Sequence, residues 1–455
     1  MKSTQSRGVR DMTAGSPAKH IIAFSLPLMV GSLFQLLYNT VDSWVVGQYV
    51  GDGALAAVGV GFPVVTMLAS LFIGLSNGGT VVIAQFFGAG KTERVRDAID
   101  TMYMAFTAAA APLTLAAVLL VRPLLFLLRV EASAYQEAWI YLTVLCAGLI
   151  GSIGYNLNAG ILGGLGNSRT TLLFLAAASG MNIALDLILV IVCGLGVLGV
   201  ALGTIVSQAF SWLFGIFYIN RRYPEFSIRP FCRRFDRELF REIMRIGLPA
   251  GIQMSLVAVG IMSVVSKAGS YGKEFTAGYN VGNKLDQLAF LPVQSLTSAI
   301  TAFVGQNIGA KRLDRVREGV RATLLAAAVW SLLITALLMP FAPTLVGCFS
   351  DTPAVIHAGT VYLRCIMPFY VLFAVFFCLN GAMRGAGDSV FPMVNVVFSL
   401  ILLRVPAVYL LANVFGPDYM YYGFGIGWVL GFALSGGWYL SGRWLRRGSI
   451  ADKKA

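Results

Sequence analysis

Charge is scarce in this chain. Only 12% of its 455 residues are Asp, Glu, Lys or Arg, against about 25% in soluble globular proteins. With 57% hydrophobic residues and a mean hydropathy of +0.76, that shortage excludes an ordinary soluble domain. Histidine is nearly absent: His20 and His357 are too far apart in sequence to form a metal motif. The six cysteines (Cys146, Cys193, Cys232, Cys348, Cys365 and Cys378) stand singly. No CxxC or Cys/His spacing points to zinc or to a disulfide framework. HExxH is missing as well, so a membrane-embedded metal-dependent hydrolase has no recognisable machinery here. The first twenty residues are polar and basic and do not read as a cleaved signal peptide.

What the chain has in abundance is long apolar runs. Twelve reach spanning length, near 19–45, 54–77, 97–127, 136–158, 170–193, 196–219, 244–268, 275–299, 319–343, 354–381, 391–413 and 423–445. The expected fold is an all-α membrane protein. The formal charge of +13 could suggest nucleic acid, but its placement argues for topology instead. With a cytoplasmic N-terminus, 27 of the 34 basic residues fall in cytoplasmic segments, and the opposite loops hold only Arg129, Lys267 and Lys273. That is the positive-inside bias, and it places both termini in the cytoplasm.

The longest polar stretch, Arg221 to Arg245, has six apolar segments on either side. It reads as a basic linker (221–245) between an N-terminal six-helix lobe (1–220) and a C-terminal lobe with a cytoplasmic tail (246–455). The lobes repeat. Gln85, Gly88, Ala89, Arg94, Val95 and Arg96 match Gln306, Gly309, Ala310, Arg315, Val316 and Arg317, each pair 221 positions apart. GGLGNS matches RGAGDS at the same offset, and Leu26-Pro27 matches Leu248-Pro249 at 222. An even number of spans per half makes the repeats parallel, an arrangement that suits a transporter with its binding region between the halves. Gly88-Ala-Gly-Lys-Thr92 looks like part of a phosphate loop. The first glycine of that motif is replaced by Gln85, and an apolar span rather than a strand precedes it, so no nucleotide site is expected.

Only three acids fall well inside apolar segments: Asp42, Asp186 and Asp286. A carboxylate at bilayer depth costs roughly 2.5–3.5 kcal/mol on insertion scales and marks a candidate functional site. Gln35, Asn39 and Asp42 follow i, i+4, i+7, and Ser179, Asn182 and Asp186 follow i, i+3, i+7, so each set shares a helix face. Thr204 and Gln208 are four apart on the next segment. The second lobe replaces these acids and amides: Val257, Ile261 and Val264 match the first set, and Leu403 and Ala407 match Asn182 and Asp186. The fold therefore does not require the carboxylates. Two of them with amide and hydroxyl neighbours could bind Na+, a hard cation, or share H+. A structural ion pair is the plain alternative. Asp286 could pair with Arg404 or line a cavity and contact cationic substrates, with Lys284 on another face of its helix.

LPLMVGSLFQLLYNTVDSWVVG, GQNIGAKRLDRVREG, GNSR/RGAGDS and NIALD followed by GVLGVALGT, in this order over twelve spans, resemble the multidrug and toxic compound extrusion (MATE) transporter family. The resemblance covers nearly the whole chain. It implies two pseudo-symmetric six-helix lobes around a central cavity, in a bacterial plasma (inner) membrane. It also implies an antiporter that exports organic, often cationic, compounds in exchange for Na+ or H+, with no other cofactor. The cation site maps onto Asp42, Asn182, Asp186 and Thr204, with Asn156 nearby. A bacterial branch carries acids in helices seven and ten; this sequence has none there, which favours the branch with its site in the first lobe. Pro27, inside helix one, is the expected hinge, although Pro249 matches it without an acid. Small organic substrates and the lipid bilayer are the expected partners of a monomer, with no nucleic acid or nucleotide. A flippase for lipid-linked or peptide-like substrates is the alternative; it would call for more basic residues at depth than Lys284 and Arg404.

Overall fold

The computed structural model describes residues 9–127, 130, 132–229, 234–445 and 449–452. Cys232, Lys2, Arg7, Arg129, Arg233, Arg446, Arg447, Lys453 and Lys454 lie outside the described residues. Among the described residues there is no strand. The helices are α1 (Pro17–Tyr49), α2 (Asp52–Gly88), α3 (Thr92–Leu127), α4 (Ala132–Ala147), α5 (Leu149–Gly164), α6 (Ser168–Asp186) and α7 (Gly196–Arg222). They continue with α8 (Arg237–Gly269), α9 (Lys273–Gly309), α10 (Leu313–Gly347), α11 (Pro353–Ile366), α12 (Tyr370–Gly385), α13 (Val390–Val397), α14 (Arg404–Val414) and α15 (Tyr422–Leu440).

Among the described residues, ten helical stretches are long and apolar enough to cross a membrane, and eleven if the bent pair α4–α5 forms one span. The segment expected at 136–158 is that pair, broken by 48° at Gly148. A Cβ on Gly148 would overlap Ile205 of α7, so the bend brings backbone against side chain. The last expected segment, 423–445, corresponds to α15, whose apolar residues are diluted by Gly, Trp and Tyr. It is not among the ten.

Contacts divide the chain into two compact units. One holds Pro27–Gly251 with the described residues 9–11; the other holds Met12–Leu26 and Ile252–Asp452. The basic stretch 221–245 thus belongs with the first unit, and the start of α1 with the second. Both crossings fall inside continuous helices, α1 and α8.

The sequence repeat is also a repeat of geometry. Gly51 and Gly272 precede α2 and α9 with φ of 117° and 103°; Gly166 and Gly387 turn at 74° and 88°. Thr80 donates to the Gly160 carbonyl at 2.9 Å, and Thr301 donates to Gly381 at 2.9 Å. The Gly88–Thr92 stretch is the turn from α2 to α3, where Gly90 has φ of 71°. Its counterpart Lys311 takes the same left-handed turn at 60°.

Within the first unit, α2 and the start of α8 cross at backbone contact. Gly74 and Gly78 face Gly247 and Gly251 so closely that a Cβ on Gly78 would overlap the Ile243 carbonyl. This small-xxx-small seam is a common solution where lipid supplies no hydrophobic drive for helix association.

Candidate cation site

Asp42 stands in the C-terminal half of α1, between Val41 and the buried Val45 and Val46. Those valines pack against Tyr141 and Leu145 of α4, Val190 beyond α6, and Val197 and Val200 of α7, which seals the carboxylate from one side. Asp42 is 7% exposed and Asp186 is 0% exposed. Asp186 is the last residue of α6, and the chain continues directly into a π-helical stretch, Leu187–Val192. Wide turns of this kind recur at functional sites. The small residues of GVLGVALGT make room for it. Gly199 lies against Leu189 and Val190, and a Cβ on Gly203 would overlap the Asp186 carboxylate.

The two carboxyl groups lie close enough to act on each other electrostatically. Around them are buried polar atoms with no protein partner: Asp42 Oδ1, both Asp186 oxygens, Asn182 Oδ1 and Nδ2, and Ser179 Oγ. Among the described residues, no Arg, Lys or His forms an ion pair with either acid. An internal ion pair therefore finds no support. Two unbalanced carboxylates in a low-dielectric site demand an added positive charge, either a shared proton or a bound cation. The donor set is all oxygen plus one amide, which fits a hard cation such as Na+ as well as H+. Asp42, Asn182, Asp186 and Ser179 are the residues that would hold it.

The other expected members are arranged differently. Thr204, next to Gly203, turns its hydroxyl onto the Val200 carbonyl at 3.1 Å, which leaves the oxygen's lone pairs free to accept. Asn156 donates to Ser152 of its own helix at 2.8 Å, and its carbonyl accepts from Ser76. Gln35 is exposed, Asn39 and Gln208 are half-buried, and Ser43 donates to the Asn39 backbone carbonyl at 3.0 Å. Sequence reasoning missed Tyr141, which is 7% exposed and lies within electrostatic range of both acids. It matches Tyr362 at the repeat offset, and that signal was available in the sequence.

In the second unit the charged groups sit in an aromatic core. Tyr362 donates to Asp286 Oδ2 at 3.2 Å, and Tyr370 donates to the Asp286 carbonyl at 3.5 Å. The Arg404 guanidinium lies 4.8 Å from the Phe424 ring centre, with Nε and Nη2 unpartnered and buried. The expected Asp286–Arg404 pair is not closed into a salt bridge, although the two act on each other electrostatically. Lys284 is exposed on another side of α9. Phe373, Phe376 and Trp428 belong to the packed core of this unit.

The MatE family model matches residues 27–188 and 249–410, two copies that begin at Pro27 and Pro249. The chain belongs to the MatE family of membrane transporters. It is 30% identical over 435 residues to the probable multidrug resistance protein YpnP of Bacillus subtilis, covering 95% of this chain and 97% of that one. An outward-facing multidrug resistance MATE transporter of the MOP superfamily superposes with a TM-score of 0.88 at 26% identity, over 97% of this chain and 98% of that one. A MATE crystal structure in a bent conformation superposes at 0.87 with 25% identity, over 97% of each chain. This MatE chain is accordingly an all-α, multi-pass membrane transporter.

Proposed function

We propose that this transporter exports organic, often cationic, compounds across the plasma membrane in exchange for Na+ or H+ entering through the first unit. Both termini lie in the cytoplasm on this reading, as the basic-residue bias requires. The observation that carries it is the pair of buried acids, Asp42 and Asp186, with no basic partner among the described residues and with Asn182 and Ser179 unbonded beside them. A site that must be neutralised from outside the chain is one whose occupancy follows an ion gradient. Relatives named for multidrug resistance and multidrug export support the substrate class. Solved neighbours in outward-facing and bent conformations support movement between states, by alternating access. Pro27 in α1 is the proposed hinge between ion binding and closure. Asp286 and Arg404 serve substrate contact or gating in the second unit.

The test is export of a fluorescent organic cation from proteoliposomes under separately imposed Na+ and H+ gradients. Asp42→Asn and Asp186→Asn, checked for folding, are expected to lose gradient-driven export by at least roughly tenfold, as ionisable intramembrane residues on ion pathways do. The gradient that drives the wild type names the ion. Wild-type export by both folded variants would reject the site.

A further inference from the structure

The repeated Q…GA…RVR motif is left without a role by the cation site, yet one arginine of each copy, Arg94 and Arg315, bonds a segment far away in sequence. In the second unit, Arg315 is 7% exposed. Its Nη1 donates to the Gly15 carbonyl at 2.7 Å, its Nη2 to the Met12 carbonyl at 3.1 Å and its Nε to Asn307 Oδ1 at 3.2 Å. Asn307 adds a bond to Met12 O at 3.3 Å, and the Met12 N–H donates to Gln306 Oε1 at 2.9 Å. One buried fork thus grips the backbone just before α1 begins at Pro17.

In the first unit the matching arginine does the matching thing. Arg94 Nη1 donates to Asp236 Oδ2 at 2.9 Å, immediately before α8 begins at Arg237. Asp236 N–H donates to Thr101 at 3.2 Å, and its Oδ1 caps α8 through Glu238 N–H and Leu239 N–H at 2.9 and 3.0 Å. Burial opposes ionisation of Asp236, but the Leu239 N–H and Arg94 outweigh it and hold the carboxyl below its usual range. Arg94 and Arg315 are 221 positions apart, and so are their acceptors, Gly15 and Asp236.

Each grip therefore holds the lead-in of a helix that crosses between units: α1 passes from the second unit to the first at Pro27, and α8 passes from the first to the second after Gly251. In α1 the gripped end (12–16) and Asp42 are joined by one continuous helix, and Pro27, with no N–H to give, lies between them. A helix pinned at one end can respond to its ion site only by bending along that stretch.

We propose that Arg315, with Gln306 and Asn307, and its counterpart Arg94 are positioning residues for transport: they anchor the lead-ins of α1 and α8 so that a change at Asp42 becomes a bend at Pro27 instead of a slide of the whole helix. The inference rests on the reading of Asp42 and Pro27 given under the proposed function, whichever ion occupies the site.

The test compares full-length wild type with Arg315→Gln, Arg315→Lys and Arg94→Gln in nanodiscs and in DNA-loaded proteoliposomes, with ethidium as the transported probe. Lysine keeps the charge but cannot span two carbonyls with a planar fork. Hydrogen exchange of the amides at 12–26 should rise by roughly tenfold in both Arg315 variants, while the rest of the second unit stays protected. The maximal ethidium transport rate should fall by about fivefold or more with KM within about twofold, the pattern of a lost conformational step. Arg94→Gln should show the same split more weakly, because its pair is partly exposed (27% and 28%) and the glycine seam also holds α8. Unchanged exchange at 12–26 would overturn the grip. Raised exchange with an undiminished maximal rate would make it packing only. If Arg315→Gln does not fold, Arg315→Lys decides by the same two readouts.

Discussion

Tyr141 and Tyr362 stand 221 positions apart, and each lies beside an acid of its own unit. Their surroundings are otherwise built on opposite electrostatic terms. In the first unit Tyr141 accompanies two carboxylates with no basic partner, and in the second Tyr362 holds Asp286 in a core that also contains Arg404. The positions matching Asp42, Ser179, Asp186 and Thr204 are Val264, Leu400, Ala407 and Gly425; those matching Asp286 and Arg404 are Val65 and Ile183. The repeat conserves turns, helix crossings and the aromatic neighbour, while charge is placed independently on each copy. The second unit carries its own compensating charge, whereas the first must take one from outside.

The largest effect should come from forcing the second unit to resemble the first. Val264 is fully buried in an apolar core cluster. Val264→Asp should destabilise the protein by about 2.5–3.5 kcal/mol, the cost of an unpaired charge at depth. Asp186→Asn, in contrast, should leave stability unchanged or raise it by about 1 kcal/mol, since strained functional sites are often less stable than their neutral variants. Thermal unfolding of both in one detergent checks the difference, and equal losses would mean the acids of the first unit are structural.

The all-α class, the spans and the repeat were legible because apolar runs and two motifs at one offset are local signals. Asp42 and Asp186 were legible because a carboxylate in an apolar run is conspicuous and helical spacing puts Asn182 and Ser179 on its face. Tyr141, Gly203 and the π-helical turn after Asp186 were not, because tyrosine and glycine are ordinary in such helices and only packing reveals which one faces the acid. The grips at Arg94 and Arg315 were least legible. A polar stretch marks where the halves meet in sequence, but the packing of helix starts against the other copy's turns depends on long-range hydrogen bonds at Arg94 and Arg315.

A middling effect tests how each copy is packed. Gly74 and Gly78 of α2, which meet Gly247 and Gly251, correspond to Ser295 and Ala299 of α9. A Cβ on Gly78 would overlap the Ile243 carbonyl, a backbone atom that cannot rotate away. Gly78→Ala should therefore cost about 1–3 kcal/mol through overpacking. Ala299→Gly, at the buried counterpart, removes one methyl and adds helix freedom, for a loss nearer 1 kcal/mol. If the two substitutions cost the same, the glycine seam is not what distinguishes the first unit.

The smallest effect lies at the turn before each helix that carries a gripping arginine. Gly90 and Lys311 occupy matching positions with φ of 71° and 60°, and Lys311 is the one non-glycine residue with positive φ among those described. A left-handed conformation costs a side-chain-bearing residue roughly 1–2 kcal/mol, from which the greater freedom of unfolded glycine must be subtracted. Lys311 also forms an exposed ion pair with Asp452 at 2.9 Å, and such pairs contribute little. Lys311→Gly should accordingly stabilise by about 0.5–1 kcal/mol, and Gly90→Lys should destabilise by a similar amount. Opposite signs would show that the two turns are the same device with different residues. A loss at Lys311→Gly would mean that its side chain holds the turn through Asp452, and that the second copy has found its own way to keep the arginine grip in place.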